Sequence, residues 1–238
     1  MTRPQPNNFS GVKPSLCQLE ERCVPAAFTF SNGVLTINME EIQNRTVTVG
    51  ARNGNLILNG TQAGGRTNQV IGAPNGKPEL TSITTIVVNG SGQRDAINLQ
   101  GVDSQFNRLD GQVTIYAKDG DDTIYGTQFS DKIFAGAGND RVFGMWGSDK
   151  IFGEAGNDEL YGEGTASFWG TNGDDDELDG GAGNDILWGG GGNDMLIGGP
   201  GRDLFWGQGG IDTVYFNSED TVPPRGWIWA GIERAVRR

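Results

Sequence analysis

Ten aspartates fall at intervals of nine residues, or a multiple of nine, in the second half of the chain: Asp122, Asp131, Asp140, Asp149, Asp158, Asp176, Asp185, Asp194, Asp203 and Asp212. Glycines recur just ahead of many of them, among them Gly136, Gly138, Gly181, Gly183, Gly190, Gly192, Gly199 and Gly201. Carboxylates phased with exposed backbone carbonyls form an oxygen-rich donor set. Calcium takes about six to eight such oxygens in flexible geometry, whereas magnesium demands a stricter octahedron. The aspartates and the carbonyls of those glycines are the expected ligands of several Ca²⁺ ions. The chain contains no histidine, which removes His-based triads and most zinc arrangements. No catalytic residue and no organic cofactor is assigned.

The elements that must position these residues follow from the same period. Read in nines from Ala117 to Tyr215, the sixth residue is Asp in every unit but one, which has Ser167. The eighth residue is always apolar: Ile124, Ile133, Val142, Ile151, Leu160, Trp169, Leu178, Leu187, Leu196, Phe205 and Val214. Side chains alternate across a strand, so a three-residue strand around that position points only its centre inward. Glycine in the intervening turns permits positive φ and close backbone approach.

Units such as GEAGNDELY at Gly153, GGAGNDILW at Gly180 and GGGGNDMLI at Gly189 resemble the RTX nonapeptide GGxGxDxUx of hemolysin-type calcium-binding repeats, U being a large apolar residue. The resemblance implies an all-β fold, a right-handed parallel β-roll. Six residues would make a turn, three a strand, and two nonapeptides one coil. Stacked coils bring the aspartates into columns. Two carboxylates about 5 Å apart repel by roughly 0.8 kcal/mol in water, and more at a partly desolvated edge. A shared divalent ion removes that repulsion.

Some units depart from the pattern. Phe129 stands where a turn glycine is expected before Asp131, which weakens that site, and Asp174 does the same before Asp176. The unit at Gly162 lacks its Asp. If it forms a half-coil, Ser167 interrupts one column. If residues 164–173 loop out, Asp149 stacks on Asp176 and Asp158 on Asp185, and both columns continue; this second arrangement is favoured. The ninth position reads Tyr125, Phe134, Phe143, Phe152, Tyr161, Trp188, Ile197, Trp206 and Tyr215, an outward aromatic stripe that either shields the turns or binds a sugar or a protein.

The chain carries a net charge of −12. Residues 117–215 hold 19 acidic against five basic residues, and 25 of the 40 glycines. So acidic a chain is not a nucleic-acid binder. No apolar run is long enough to span a bilayer, and the first residues lack the apolar stretch of roughly 7–15 residues of a standard leader. Cys17 and Cys23 form either a local disulfide or two free thiols.

The expected organisation is a mobile tail over 1–27, metal-poor β-coils over 28–116 that continue and cap the roll, the calcium-binding roll over 117–215, and a C-terminal cap over 216–238, with Trp227 and Trp229 closing the core. The expected function is a secreted or cell-surface calcium-binding module that folds on binding Ca²⁺, with a structural or interaction role. The alternatives are a polysaccharide-binding adhesin using the aromatic stripe, and a carboxylate-only polysaccharide-active enzyme. Expected partners are calcium and either an extracellular polysaccharide or a surface protein.

Overall fold

The computed structural model describes residues 28–42, 45–52, 55–60, 69–70, 80–109, 113–164, 173–221 and 232–237. The expectations for residues 1–27, Cys17, Cys23, Trp169, Trp227 and Trp229 lie outside them. The described residues are all-β, in two sheets. One sheet runs in the order β1 (Phe28–Ser31), β2 (Val34–Asn38), β6 (Thr85–Asn89), β8 (Val113–Tyr116), β10 (Asp131–Ala137), β12 (Lys150–Ala155), β14 (Glu177–Asp179), β16 (Met195–Ile197), β18 (Asp212–Phe216) and β19 (Ile232–Arg237). The other runs β17 (Leu204–Gly209), β15 (Ile186–Gly191), β13 (Glu159–Glu163), β11 (Arg141–Met145), β9 (Thr123–Tyr125), β7 (Ala96–Gly101), β3 (Thr46–Arg52), β4 (Asn55–Gly60) and β5 (Gln69–Val70). Successive nonapeptide strands fall alternately in the two sheets, so each strand pairs in parallel with its equivalent one coil away. This is a β-roll continuous with β-rich N-terminal coils.

The register is set by the inward apolar residues. In one sheet Ile133 pairs with Ile151, Ile151 with Leu178, Leu178 with Leu196 and Leu196 with Val214. In the other, Ile97 pairs with Ile124, and the ladder runs on through Val142, Leu160, Leu187 and Phe205. All of these are fully buried. Burial of each stabilises the stack by roughly 1.5–3 kcal/mol. The N-terminal coils bury two residues per strand instead of one: Leu35 and Ile37, Val47 and Val49, Ile86 and Val88, Ile97 and Leu99, Val113 and Ile115.

At the N-terminal end the parallel pattern gives way. Strands β1, β4 and β5 join antiparallel, which the coil reading of 28–116 does not anticipate. The local cause is visible between β1 and β2. Asn32 and Gly33 both take positive φ, 51° and 83°, the two-residue turn whose twist matches a hairpin.

Candidate calcium turns

Two edges join the sheets, and each carries one column of aspartates. On the edge entering the nine-stranded sheet stand Asp95, Asp122, Asp140, Asp158, Asp185, Asp203 and Asp220. On the other stand Asp131, Asp149, Asp176, Asp194 and Asp212. A backbone bond links each aspartate to the next. The N–H of Asp122 donates to Oδ1 of Asp140 at 2.7 Å, that of Asp140 to Asp158 at 2.8 Å, and that of Asp185 to Asp203 at 2.9 Å. The second edge repeats this from Asp131 to Asp149 at 2.8 Å, from Asp176 to Asp194 at 2.9 Å and from Asp194 to Asp212 at 2.9 Å.

Asp95 N–H donates to Asp122 across 27 residues and Asp203 N–H to Asp220 across 17. Between these ends the step is 18 residues except at one level. There Asp149 N–H donates to Asp176 Oδ1 and Asp158 N–H to Asp185 Oδ1, both at 2.8 Å and both across 27 residues. Residues 165–172 between them lie outside the described residues.

While Oδ1 is held by backbone, Oδ2 is not. In Asp122, Asp140, Asp149, Asp158, Asp176, Asp185, Asp194 and Asp203 it is buried and receives no hydrogen bond. A buried carboxylate oxygen without a donor is costly, and the titration behaviour reflects that cost. Burial, reinforced by neighbouring carboxylates, pushes Asp122 and Asp176 up to about 8 and Asp158, Asp194 and Asp203 to about 7. Burial pushes Asp149 well above the ordinary range, with Asp131 and Asp176 adding to the effect.

Oδ2 also explains the glycine that opens most of the units. A Cβ on Gly153 would lie 2.5 Å from Asp158 Oδ2 and 2.4 Å from the carbonyl oxygen of Gly180. On Gly162 it would lie 2.1 Å from Asp176 Oδ2 and 2.3 Å from the Gly189 oxygen. Carboxylate and carbonyl oxygens therefore crowd one small volume beside a backbone with no side chain. Among the described residues no three acidic or cysteine side chains converge on one point. On each edge carboxylates arrive singly, one per coil, so a bound ion needs backbone oxygens to complete its shell. Calcium, with its tolerance of carbonyl ligands and irregular geometry, fits this donor set.

The eight glycines expected to lend carbonyls all take positive φ, from 91° at Gly181 to 147° at Gly183. The carbonyls of Gly138, Gly181, Gly183 and Gly192 lean along the column toward the next coil. Gly138 O would be 1.6 Å from a Cβ on Gly156, and Gly183 O 1.5 Å from one on Gly201. Gly199 and Gly201 are used differently, because Asn217 Nδ2 donates to both carbonyls, at 2.9 and 3.0 Å. Gly190 packs against a side chain, Glu163 Cγ lying 2.7 Å from where its Cβ would be. Glu163 adds its negative charge beside Asp176 and Asp194.

Asp131 stands apart. Thr127 N–H donates to its Oδ2 at 2.6 Å and Thr127 Oγ1 to its Oδ1 at 2.9 Å. Asp95, an aspartate in the nonapeptide phase that the sequence reading did not assign, is held in the same way by Ser91 at 2.6 and 3.0 Å.

A second ladder lies outside the first. Asn157 N–H donates to Asn139 Oδ1 at 2.9 Å, Asn184 to Asn157 at 2.8 Å and Arg202 to Asn184 at 3.0 Å. The Asn that recurs before Asp140, Asp158, Asp185 and Asp194 was the available signal for it. The outward rings make two stripes, one per sheet. Tyr116, Phe134 and Phe152 stack at 5.1 and 5.0 Å. Tyr125, Phe143, Tyr161, Trp188 and Trp206 stack at 4.8, 4.8, 6.1 and 4.2 Å between centroids.

A family model described as the RTX calcium-binding nonapeptide repeat matches four copies, at residues 116–151, 143–166, 169–205 and 191–220. No curated protein and no solved structure matches the chain. The ten phased aspartates and the eight positive-φ glycines named with them lie in the matched segment, and residues 116–220 are RTX calcium-binding nonapeptide repeats.

Proposed function

We propose that the chain is an extracellular or cell-surface calcium-binding module whose roll folds as Ca²⁺ binds, serving a structural or interaction role and not a catalytic one. The observation that carries this is the pair of columns of buried Oδ2 atoms without donors. Without a cation those turns juxtapose desolvated negative charge. With one, the free energy of binding becomes free energy of folding. An affinity of roughly 10⁻⁴–10⁻³ M, typical of extracellular modules, would keep the roll unfolded in the low calcium of the cytoplasm and fold it outside.

The ligands are Oδ2 of the aspartates whose oxygen lacks a donor, together with turn carbonyls of the adjacent coil. The aromatic stripes support shielding better than sugar binding. Trp188 and Trp206 are nearly parallel, 8° apart with centroids at 4.2 Å, so the two ring faces cover each other. The partner outside the cell is then a protein or polysaccharide recognised by the whole acidic surface. Among the described residues no helix is long and apolar enough to cross a membrane.

The test is a calcium titration followed by far-UV circular dichroism, with native mass spectrometry counting bound ions. Strand signal should rise together with the ion count. Equal strand content in EDTA and in millimolar calcium would end this reading.

A further inference from the structure

We propose that each aspartate column begins at a turn built to fold without calcium, and that the coils up to these turns form a metal-independent template on which the rest of the roll winds. This rests on the calcium-dependent folding proposed above and divides the chain into a part that needs the ion and a part that does not.

Ser91 and Thr127 occupy the same place in their turns, four residues before the aspartate. Each puts a backbone N–H on Oδ2 and a hydroxyl on Oδ1 of that aspartate. Both carboxylate oxygens thus have donors from within the turn, which is the service an ion performs elsewhere. Asp95 and Asp131 are correspondingly missing from the buried aspartates whose Oδ2 receives no hydrogen bond.

The backbone differs in the same two turns, a difference shared among the other assigned aspartates only by Asp176, which Asp174 precedes. Two residues before the aspartate, the later turns use a glycine at positive φ, such as Gly138, Gly156, Gly183 and Gly192. Gln93 and Phe129 stand there instead, and neither takes positive φ. The peptide that aims a carbonyl along the column is therefore turned otherwise. Phe129 N–H donates to Thr127 Oγ1 at 3.0 Å, fixing the hydroxyl in place.

The core changes near the same boundary. Strands β2, β3, β6, β7 and β8 each bury two apolar side chains, while β9 and the strands after it place one large residue in the ladder, joined in β10 by the small Ala135. A second buried residue in each strand doubles the apolar rungs that hold one coil to the next, with no ion required for that contact. Later coils have half that burial and a carboxylate oxygen to satisfy. Doubled ladders end at β8 and hydroxyl-closed turns at Asp131, one coil apart in the same sheet, and the calcium turns begin with Asp122 and Asp140 on one edge and Asp149 on the other.

Hydrogen–deuterium exchange of the full chain, in EDTA and in millimolar calcium, tests this. In EDTA the amides of β2, β6, β7 and β8 should stay protected more than about tenfold above those from β11 to β18, and calcium should protect both sets. Uniform exchange in EDTA overturns the template while leaving calcium-dependent folding intact. Uniform protection in EDTA overturns both. A second variant, Thr127→Gly with Phe129→Gly, restores the glycine pattern and removes the hydroxyl. It should raise the calcium count by native mass spectrometry by one ion, and an unchanged count overturns the assignment of Asp131 as metal-free.

Discussion

Stripping calcium at about pH 8 should unfold the roll, and acidifying the stripped chain to about pH 4 should restore much of it. The aspartates are the cause. Their ordinary value of 3.8 is raised by burial to about 6 in Asp140 and Asp185, about 7 in Asp158, Asp194 and Asp203, and about 8 in Asp122 and Asp176. Keeping one carboxylate ionised against a rise from 3.8 to about 7 costs roughly 4 kcal/mol. Several together exceed the 5–15 kcal/mol, roughly, by which domains are stable. The folded state binds these protons more tightly than the unfolded chain. Protonation therefore stabilises the roll fully below about 3.8, and that stabilisation is lost as pH rises through 6 to 8. Near pH 5 the cost remaining is about 1.6 kcal/mol per aspartate. Far-UV circular dichroism in EDTA from pH 8 down to pH 4, with calcium at pH 8 as reference, reads the outcome. A strand signal in EDTA that is flat over that range refutes the reasoning.

Ile151→Ala removes a fully buried rung between Ile133 and Leu178. It should cost about 2–5 kcal/mol, seen as a higher calcium midpoint in a circular dichroism titration. Gly153→Ala drives a Cβ onto Asp158 Oδ2 and the Gly180 carbonyl, and calorimetry should show weakened calcium binding. Gly92→Ala, with nothing within 4 Å of the added atom, should leave binding unchanged.

The nine-residue period made the core ladder, the alternation between two sheets and the aspartate columns legible, because a period fixes which residues meet. What a period does not carry is how a carboxylate's two oxygens are divided. That Oδ1 takes a backbone N–H while Oδ2 takes none depends on coil spacing. That Thr127 satisfies Asp131 depends on a hydroxyl within one turn, and the departure at Phe129 marked the place without giving the reason. The aromatic residues read as a single stripe in sequence because alternate units belong to different sheets. The N-terminal hairpin escaped the coil reading because the alternating pattern of a strand is the same in parallel and antiparallel pairing.

The register resumes unchanged after Asp149, although 27 residues separate it from its partner Asp176 where 18 separate Asp194 from Asp212. The scaffold thus counts windings and is indifferent to how much chain lies between one rung and the next. Such a design lets a gene lengthen the molecule by duplicating paired units, or graft a foreign segment at a bend, without redrawing what already stands.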